Sequence, residues 1–175
     1  MIDADVARAC GGENAVHPTA ANTRDFLQAV LTICHKAVMT PEMQREWNKH
    51  QSSFARKWRR SMVAKKKLVM LNLDEHDALR QGIRTQDLSD NKKKAMLKDC
   101  HLIEAALNAG YSIISMDDVA RGLFSGAANS IADLHTVLWI NPARDHEKVI
   151  GWLKDGAPID GAQRRQWRLG AHVAV

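Results

Sequence analysis

The chain has few cysteines, and their spacing does not pair them into a metal or redox motif. Cys10, Cys34 and Cys100 are odd in number and far apart in the sequence. Such a set argues against a disulfide framework and favours a reduced compartment. The 8 histidines are scattered singly, so no zinc-ligand pattern can be assembled from them. The sequence therefore predicts a cytoplasmic protein without structural zinc.

Long apolar runs and a signal-like N-terminus are also missing. No basic region followed by an apolar stretch opens the chain, and the longest apolar runs are far shorter than a membrane span. We therefore expect neither a signal peptide nor a membrane partner. The formal net charge of +5 mildly favours a polyanionic partner, but charge alone does not identify one.

A length of 175 residues suits one domain that buries its own core. Apolar periodicity and capping residues predict helices at about 22–36, 41–62, 91–109, 119–124 and 146–154, with a short one within 74–91. Strands are predicted at 1–2, 37–39, 111–116 and 136–140, and residues 68–71 fit either a strand or the end of a helix. This alternation favours a parallel sheet covered on both faces. We predict an α/β fold, a three-layer α/β/α sandwich over residues 1–157, followed by a basic and loosely held tail at 158–175.

Four widely spaced carboxylates are the most informative feature of the sequence. Each lies where a strand ends or where a helix presents its inner face, and they are Asp3, Glu46, Asp99 and Asp117. Asp99 shares a predicted helix face with apolar residues, where an unpaired ionised carboxylate is costly. Because ligands gather beyond the carboxyl ends of parallel strands, Asp3 and Asp117 are expected near one another.

Each acid also has an ordinary explanation. Asp99 could pair with an Arg or Lys, and Glu46 could be a solvated helix residue near the positive end of the helix dipole. Asp117 and Asp118 fit helix N-caps, and Asp3 and Asp5 could be polar residues of a frayed terminus. Taken together, however, clustered carboxylates repel one another unless cations bind. Mg²⁺ and Mn²⁺ prefer such oxygen ligands, and one or two of these ions can activate water for phosphodiester cleavage.

Four segments resemble the motifs of the PIN domains, which are single-domain metal-dependent nucleases. The segments are MIDADV at 1–6, VMTPEMQREW at 38–47, DCHLIEAAL at 99–107 and ISMDD at 114–118. The similarity spans about residues 1–125. Its most specific part is the third and fourth motifs with the short Gly110 turn between them.

The resemblance implies a set of site residues. The metal-binding and catalytic acids would be Asp3, Glu46, Asp99 and Asp117, with Asp118 as a further metal ligand. Asp5 and Ser115 would support them, with Ser115 orienting an acid or a water. The chain departs from the pattern in its short first strand, in the Ala4-Asp5 pair that replaces a hydroxyl residue and Asn, and in a segment from Val137 onward without an assigned role.

A dense run of basic residues follows the second motif and predicts a nucleic-acid contact. Its members are Arg56, Lys57, Arg59, Arg60, Lys65, Lys66 and Lys67. They could guide a phosphate backbone toward an acidic pocket that would otherwise repel it. The second run, at 92–94, fits a solvated helix face better. Trp47, Phe54 and Trp58 recur at helical spacing, which is more typical of a core or a protein contact than of base stacking.

These features favour a Mg²⁺- or Mn²⁺-dependent endoribonuclease that attacks RNA with activated water. The resemblance further implies a toxin role with a cognate antitoxin protein and a homodimer. The alternative is a catalytically silent PIN-like module that binds RNA or a protein. A phosphotransfer domain of the receiver or haloacid-dehalogenase kind fits less well, because the later strands are not followed by the required Lys.

Overall fold

Helices dominate the chain, which a computed structural model describes at residues 1–110 and 112–171. The α-helices are α1 (Ala4–Ala9), α2 (Pro18–Ile33), α3 (Pro41–His50), α4 (Ser53–Ala64), α5 (Asp77–Arg84), α6 (Asp90–Asn108), α7 (Asp118–Ala127) and α8 (His146–Lys154). The strands are β1 (Ala37–Met39), β2 (Leu68–Met70), β3 (Ser112–Ile114) and β4 (Leu138–Ile140). Two 3₁₀ helices span Ala132–Thr136 and Ala162–Trp167. Tyr111, predicted to open a strand, lies outside the described residues.

Capping residues and apolar spacing correctly predicted the ends of several helices and strands. β1 and α8 have their predicted bounds, and β2 resolves the ambiguous segment as a strand. The Thr40 side chain accepts a hydrogen bond from the Met43 N–H at 3.3 Å, and Pro41 occupies the first helical position. This combination starts α3 because it satisfies one orphan amide and places proline where no amide is needed.

The single helix predicted over 41–62 is wrong, because the chain breaks between α3 and α4. Gln51 is extended, with φ −61° and ψ 136°. Ser52 then caps α4 by accepting a hydrogen bond from the Ala55 N–H at 3.2 Å, while its own N–H donates to the Ala7 carbonyl. The capping serine competes with helix continuation, although the apolar spacing runs on across the break.

The described chain divides into two compact units. The first comprises Met1–Asn72, Ile114–Met116 and Ile140–Pro158, and the second comprises Leu73–Ile113, Asp117–Trp139 and Ile159–Val175, described here as far as residue 171. In the first unit α2 packs against α4 and α8, and α1 packs against α3. In the second unit α6 packs against α5 and α7, and the rings of Phe124 and Trp139 lie 6.0 Å apart.

The strands form two short parallel two-stranded sheets, β1–β2 and β3–β4. Ala37 is in register with Leu68, and Met39 with Met70. Ile2 adds an isolated parallel bridge to Ile114. The fold is therefore mixed α/β, which agrees with the predicted fold class.

The C-terminal segment, predicted to be loosely held, is packed where the structure describes it. Trp167 and Leu169 are buried, and the Leu169 N–H donates to the Val137 carbonyl at 3.0 Å. Within the described ranges, no helix combines the length and apolarity needed to cross a membrane.

Candidate functional site

Asp3 and Ser115 each follow a residue of the parallel bridge between Ile2 and Ile114, and both lie in the first unit. The Asp3 N–H donates to the Ile114 carbonyl at 2.9 Å, and the Ile114 N–H donates to the Met1 carbonyl at 3.0 Å. On the other side, the Ser115 N–H donates to the Ile140 carbonyl at 3.0 Å. These bonds fix the backbone at the carboxyl ends of the strands, which is where parallel sheets collect functional groups.

The Ser115 hydroxyl connects two carboxylates. Its Oγ is 2.8 Å from Oδ2 of Asp3 and 3.1 Å from Oδ2 of Asp5. Asp3 also caps α1, because its Oδ1 accepts a hydrogen bond from the Ala4 N–H at 2.6 Å. The cap turns the chain into a helix at once, and this brings Asp5, on the first turn of α1, back toward the strand ends.

Asp5 is a buried acid of the site whose pKa is strongly raised. Its Oδ2 accepts a hydrogen bond from the Met116 N–H at 2.8 Å, while its Oδ1 is buried and has no hydrogen-bond partner among the described residues. Burial, followed by the negative charge of Asp3, raises the pKa of Asp5 from 3.8 to about 7. The hydrogen bonds from Met116 and Ser115 oppose this rise without overcoming it.

A shared proton accounts for the arrangement. A hydroxyl carries a single hydrogen, so Ser115 cannot donate fully to both Asp3 and Asp5. When Asp5 is protonated, it can donate to Ser115 Oγ while Ser115 donates to Asp3. When Asp5 is ionised, only one of the two carboxylates can accept the Ser115 hydrogen, while the Ala4 N–H still donates to Asp3 and the Met116 N–H to Asp5. Burial of Asp5 and its repulsion from Asp3 therefore favour an added proton or cation at this cluster.

Glu46 is half-buried on α3, and a hydrogen bond joins this helix to Ile2. The neighbouring Trp47 is fully buried, and its Nε1 donates to the Ile2 carbonyl at 2.9 Å. The bond fixes α3 beside the residue that precedes Asp3. The structure thus places Glu46 in the same unit as Asp3, Asp5 and Ser115.

The remaining predicted acids belong to the second unit. Asp99 is half-buried on α6, where Met96 and Ile103 on the same face are buried as predicted. Asp117 caps α7 by accepting a hydrogen bond from the Ala120 N–H at 2.8 Å, which matches its ordinary explanation. Asp118 is exposed in the first turn of α7.

A divalent cation fits the donor chemistry of the Asp3–Asp5–Ser115 cluster. Carboxylate and hydroxyl oxygens are the ligands that Mg²⁺ and Mn²⁺ prefer, and Asp5 Oδ1 is a buried acceptor that lacks a donor. Within each unit, as far as it is described, no three Asp, Glu, His or Cys side chains lie close enough to hold a metal ion together. Asp3, Asp5 and Ser115 would therefore hold such an ion only together with waters, which Mg²⁺ commonly keeps.

The predicted basic residues lie on α4 and the turn after it. Arg56, Lys57 and Arg60 are exposed, as are Lys65 and Lys66, and Lys67 is half-buried. Two of the seven residues already have partners. Lys57 forms an ion pair with Glu13, and Arg59 Nη2 donates to Asn48 Oδ1 at 2.8 Å.

The aromatic residues near this run belong to the core. Trp47 and Trp58 are buried, with ring centroids 5.7 Å apart, and Trp58 Nε1 donates to the Leu27 carbonyl. Phe54 is half-buried. This outcome confirms the core explanation for both tryptophans over base stacking.

Sequence reasoning named Asp5 only as a supporting residue and did not identify the Met116 N–H or the raised pKa of Asp5. The spacing of Asp3 and Asp5 was visible, but the donor that joins them lies 110 positions after Asp5. Comparison with protein-family models, with curated proteins and with solved structures gave no match for this chain.

Proposed function

We propose that this chain is a Mg²⁺- or Mn²⁺-dependent endoribonuclease that hydrolyses RNA phosphodiester bonds. The observation that carries the proposal is the convergence of Asp3 and Asp5 on the Ser115 hydroxyl at the ends of parallel strands. Two carboxylates that share one donor repel one another, and a divalent cation relieves that repulsion. The proposal includes the PIN-like three-layer arrangement, which the parallel Ile2–Ile114 bridge supports.

Asp3 and Asp5 are the proposed inner metal ligands, and Glu46 is a further proposed acid of the same unit. The resemblance of the sequence motifs adds Asp99, Asp117 and Asp118, which belong to the second unit, as predicted acids. A divalent ion bound by such acids supplies an activated water and neutralises charge on the phosphate. Ser115 holds the Asp3 carboxylate by donating to Oδ2, and the Ala4 N–H holds Oδ1. The Met116 N–H fixes Asp5, so both acids are oriented before substrate arrives.

The basic residues of α4 and its following turn are the proposed substrate contact. They attract the RNA backbone, which the acidic cluster would otherwise repel. A toxin role with an antitoxin partner and a homodimer are the further parts of this proposal, and they rest on the resemblance of the sequence motifs.

The decisive experiment incubates the purified protein with labelled single-stranded and hairpin RNA in Mn²⁺ and then in chelator. We expect Mn²⁺-dependent cleavage that Asp3→Asn and Asp99→Asn abolish. Asn preserves the N-cap at position 3, so the Asp3 variant should still fold. The matched control is Asp87→Asn, an exposed residue outside the proposed site, and it should cleave like the wild type. Equal cleavage by wild type and Asp99→Asn would refute the nuclease assignment.

A catalytically silent PIN-like module that binds RNA or protein is the second candidate. One observation favours it: in the described part of each unit, no three Asp, Glu, His or Cys side chains lie close enough to hold a metal ion. RNA binding that persists in chelator, together with no cleavage in Mn²⁺ or Mg²⁺, would support this candidate.

A further inference from the structure

The outer face of α4 carries cations whose charge is not neutralised within the described chain. Ala55, Trp58 and Met62 form the buried face of the helix. Arg56 and Arg60, four residues apart, lie on the opposite face and are exposed. No ion pair joins either arginine to a described residue, whereas Lys57 is paired with Glu13.

Like charges also crowd each other here. The guanidinium of Arg59 lies beside Arg56, and burial followed by that neighbouring charge lowers the pKa of Arg59. Arg56 and Arg60 form a like-charge pair at helical i, i+4 spacing, which disfavours the helix. The helix dipole favours cations near the end of α4, which accounts for Lys65 but not for Arg56 and Arg60.

The turn that ends α4 places a lysine where glycine is preferred. Lys66 has φ +55°, its N–H donates to the Val63 carbonyl, and the Lys67 N–H donates to the Met62 carbonyl. This pattern is a Schellman motif, whose left-handed position is usually glycine because a side chain is strained there. The turn thus places an exposed lysine at the end of the helix, next to Lys65.

We propose that Arg56, Arg60, Lys65 and Lys66, here termed the α4 ridge, bind the phosphate backbone of nucleic acid through charge and without base stacking. The nearby tryptophans are buried and cannot stack on bases, so the contact reads phosphates rather than sequence. Phosphate is the complementary group, because arginine binds it in a bidentate manner and lysine as a point charge. The inference rests on the proposed function only for the identity of the polyanion.

The test measures binding of labelled single-stranded RNA by fluorescence anisotropy in EDTA, where no divalent ion supports cleavage. Lys66→Gly should weaken binding about fivefold at physiological salt and lower the slope of log K against log salt by about 1. Its melting temperature should be unchanged or higher, because glycine relieves the left-handed strain. Ala157→Gly is the backbone control, since Ala157 has φ +56° and carries no charge. It should leave RNA binding unchanged.

Two double variants distinguish binding by the α4 ridge from a general effect of the net charge of the protein. Arg56→Gln with Arg60→Gln should weaken binding more than tenfold. Lys92→Gln with Lys94→Gln removes the same charge from exposed positions of α6 and should have little effect. Equal losses from the two pairs, wild-type binding by Lys66→Gly, or equally strong binding of polyglutamate would overturn the inference. Absence of cleavage in Mn²⁺ would overturn the proposed nuclease while leaving these binding results intact.

Discussion

The Ser115 hydroxyl lies 2.8 Å from Oδ2 of Asp3, a residue 112 positions earlier in the chain. The same oxygen atom of Ser115 is 3.1 Å from Asp5. One hydroxyl therefore orients both acids, and its single hydrogen is too few for two ionised carboxylates. The protonation state of Asp5 therefore decides whether both carboxyl groups can form a hydrogen bond with Ser115.

Asp5 should make the metal-free protein less stable as the pH rises. Its pKa is raised from 3.8 to about 7, so the folded state holds the proton more tightly than the unfolded state. The loss of folding stability that comes from ionising Asp5 is absent below about pH 4, grows between about pH 4 and 7, and is complete above about pH 7. Asp5→Asn keeps the acceptor for Met116 and removes the charge. It should raise the free energy of unfolding by roughly 2 kcal/mol at pH 8 and change it little at pH 4.

Thermal unfolding in EDTA across this pH range checks the prediction. Asp87→Asn serves as the control, because Asp87 is exposed and lies outside the cluster. A wild-type protein whose stability is flat from pH 4 to 8 would contradict the assignment of the raised pKa to Asp5.

Mn²⁺ should stabilise the folded protein through Asp3. A cation that binds only the native state at a hundred times its dissociation constant adds about 2.7 kcal/mol, or a melting-temperature rise of about 5 °C or more for a chain of this size. The rise should be larger at pH 8 than at pH 6, because the ion must displace the proton of Asp5. Asp3→Asn should lose the rise and Asp87→Asn should keep it. An undiminished shift in Asp3→Asn would place the ion elsewhere.

Elements governed by neighbouring residues were predictable from the sequence. Thr40 and Pro41 define a helix start within four residues, and an apolar triplet defines β1. The short helix α1 was missed because its six residues carry no long periodicity. Its start depends on the Asp3 side chain, which was predicted to be a metal ligand or a polar residue of a frayed terminus and not a helix cap.

Relationships between distant residues were not predictable. Glu104 on α6 is buried although it carries a charge. Glu104 is buried because Arg80, 24 positions earlier, forms a salt bridge with it. No local pattern reports such a partner, since a charged residue on a helix is usually solvated. Sequence motifs grouped Asp3, Glu46, Asp99 and Asp117 as one set of acids. In the structure, Asp3 shares the Ser115 hydroxyl with Asp5, which is not one of these four.

The hydrogen bond from Trp47 Nε1 to the Ile2 carbonyl should hold the segment that precedes Asp3 in place. Trp47→Phe removes the donor, leaves a buried carbonyl unpaired and opens a small cavity, at a cost of about 2–4 kcal/mol. Trp58→Phe is a matched control, because Trp58 is also buried and donates to the Leu27 carbonyl at 2.6 Å. Both variants should unfold at lower urea. Only Trp47→Phe should also weaken the Mn²⁺ shift, and an equal weakening in both would show that the bond does not position Asp3.

The buried pair of Glu104 and Arg80 should be a principal stabilising contact of the second unit. Arg80 Nε and Nη2 donate to the two carboxylate oxygens at 2.8 and 3.0 Å, and the His76 N–H donates to Oε1. Glu104→Gln keeps the shape but leaves a mostly buried guanidinium with only the exposed Glu75 as its counter-charge, at a cost of about 3 kcal/mol. Glu75→Gln is the control, because Glu75 lies 3.5 Å from the same Arg80 but its side chain is 69% exposed. That exposed pair should contribute less than about 0.5 kcal/mol, since solvent screens it. Urea unfolding of both variants measures the difference, and equal destabilisation would mean that burial does not strengthen the dependence of Arg80 on Glu104.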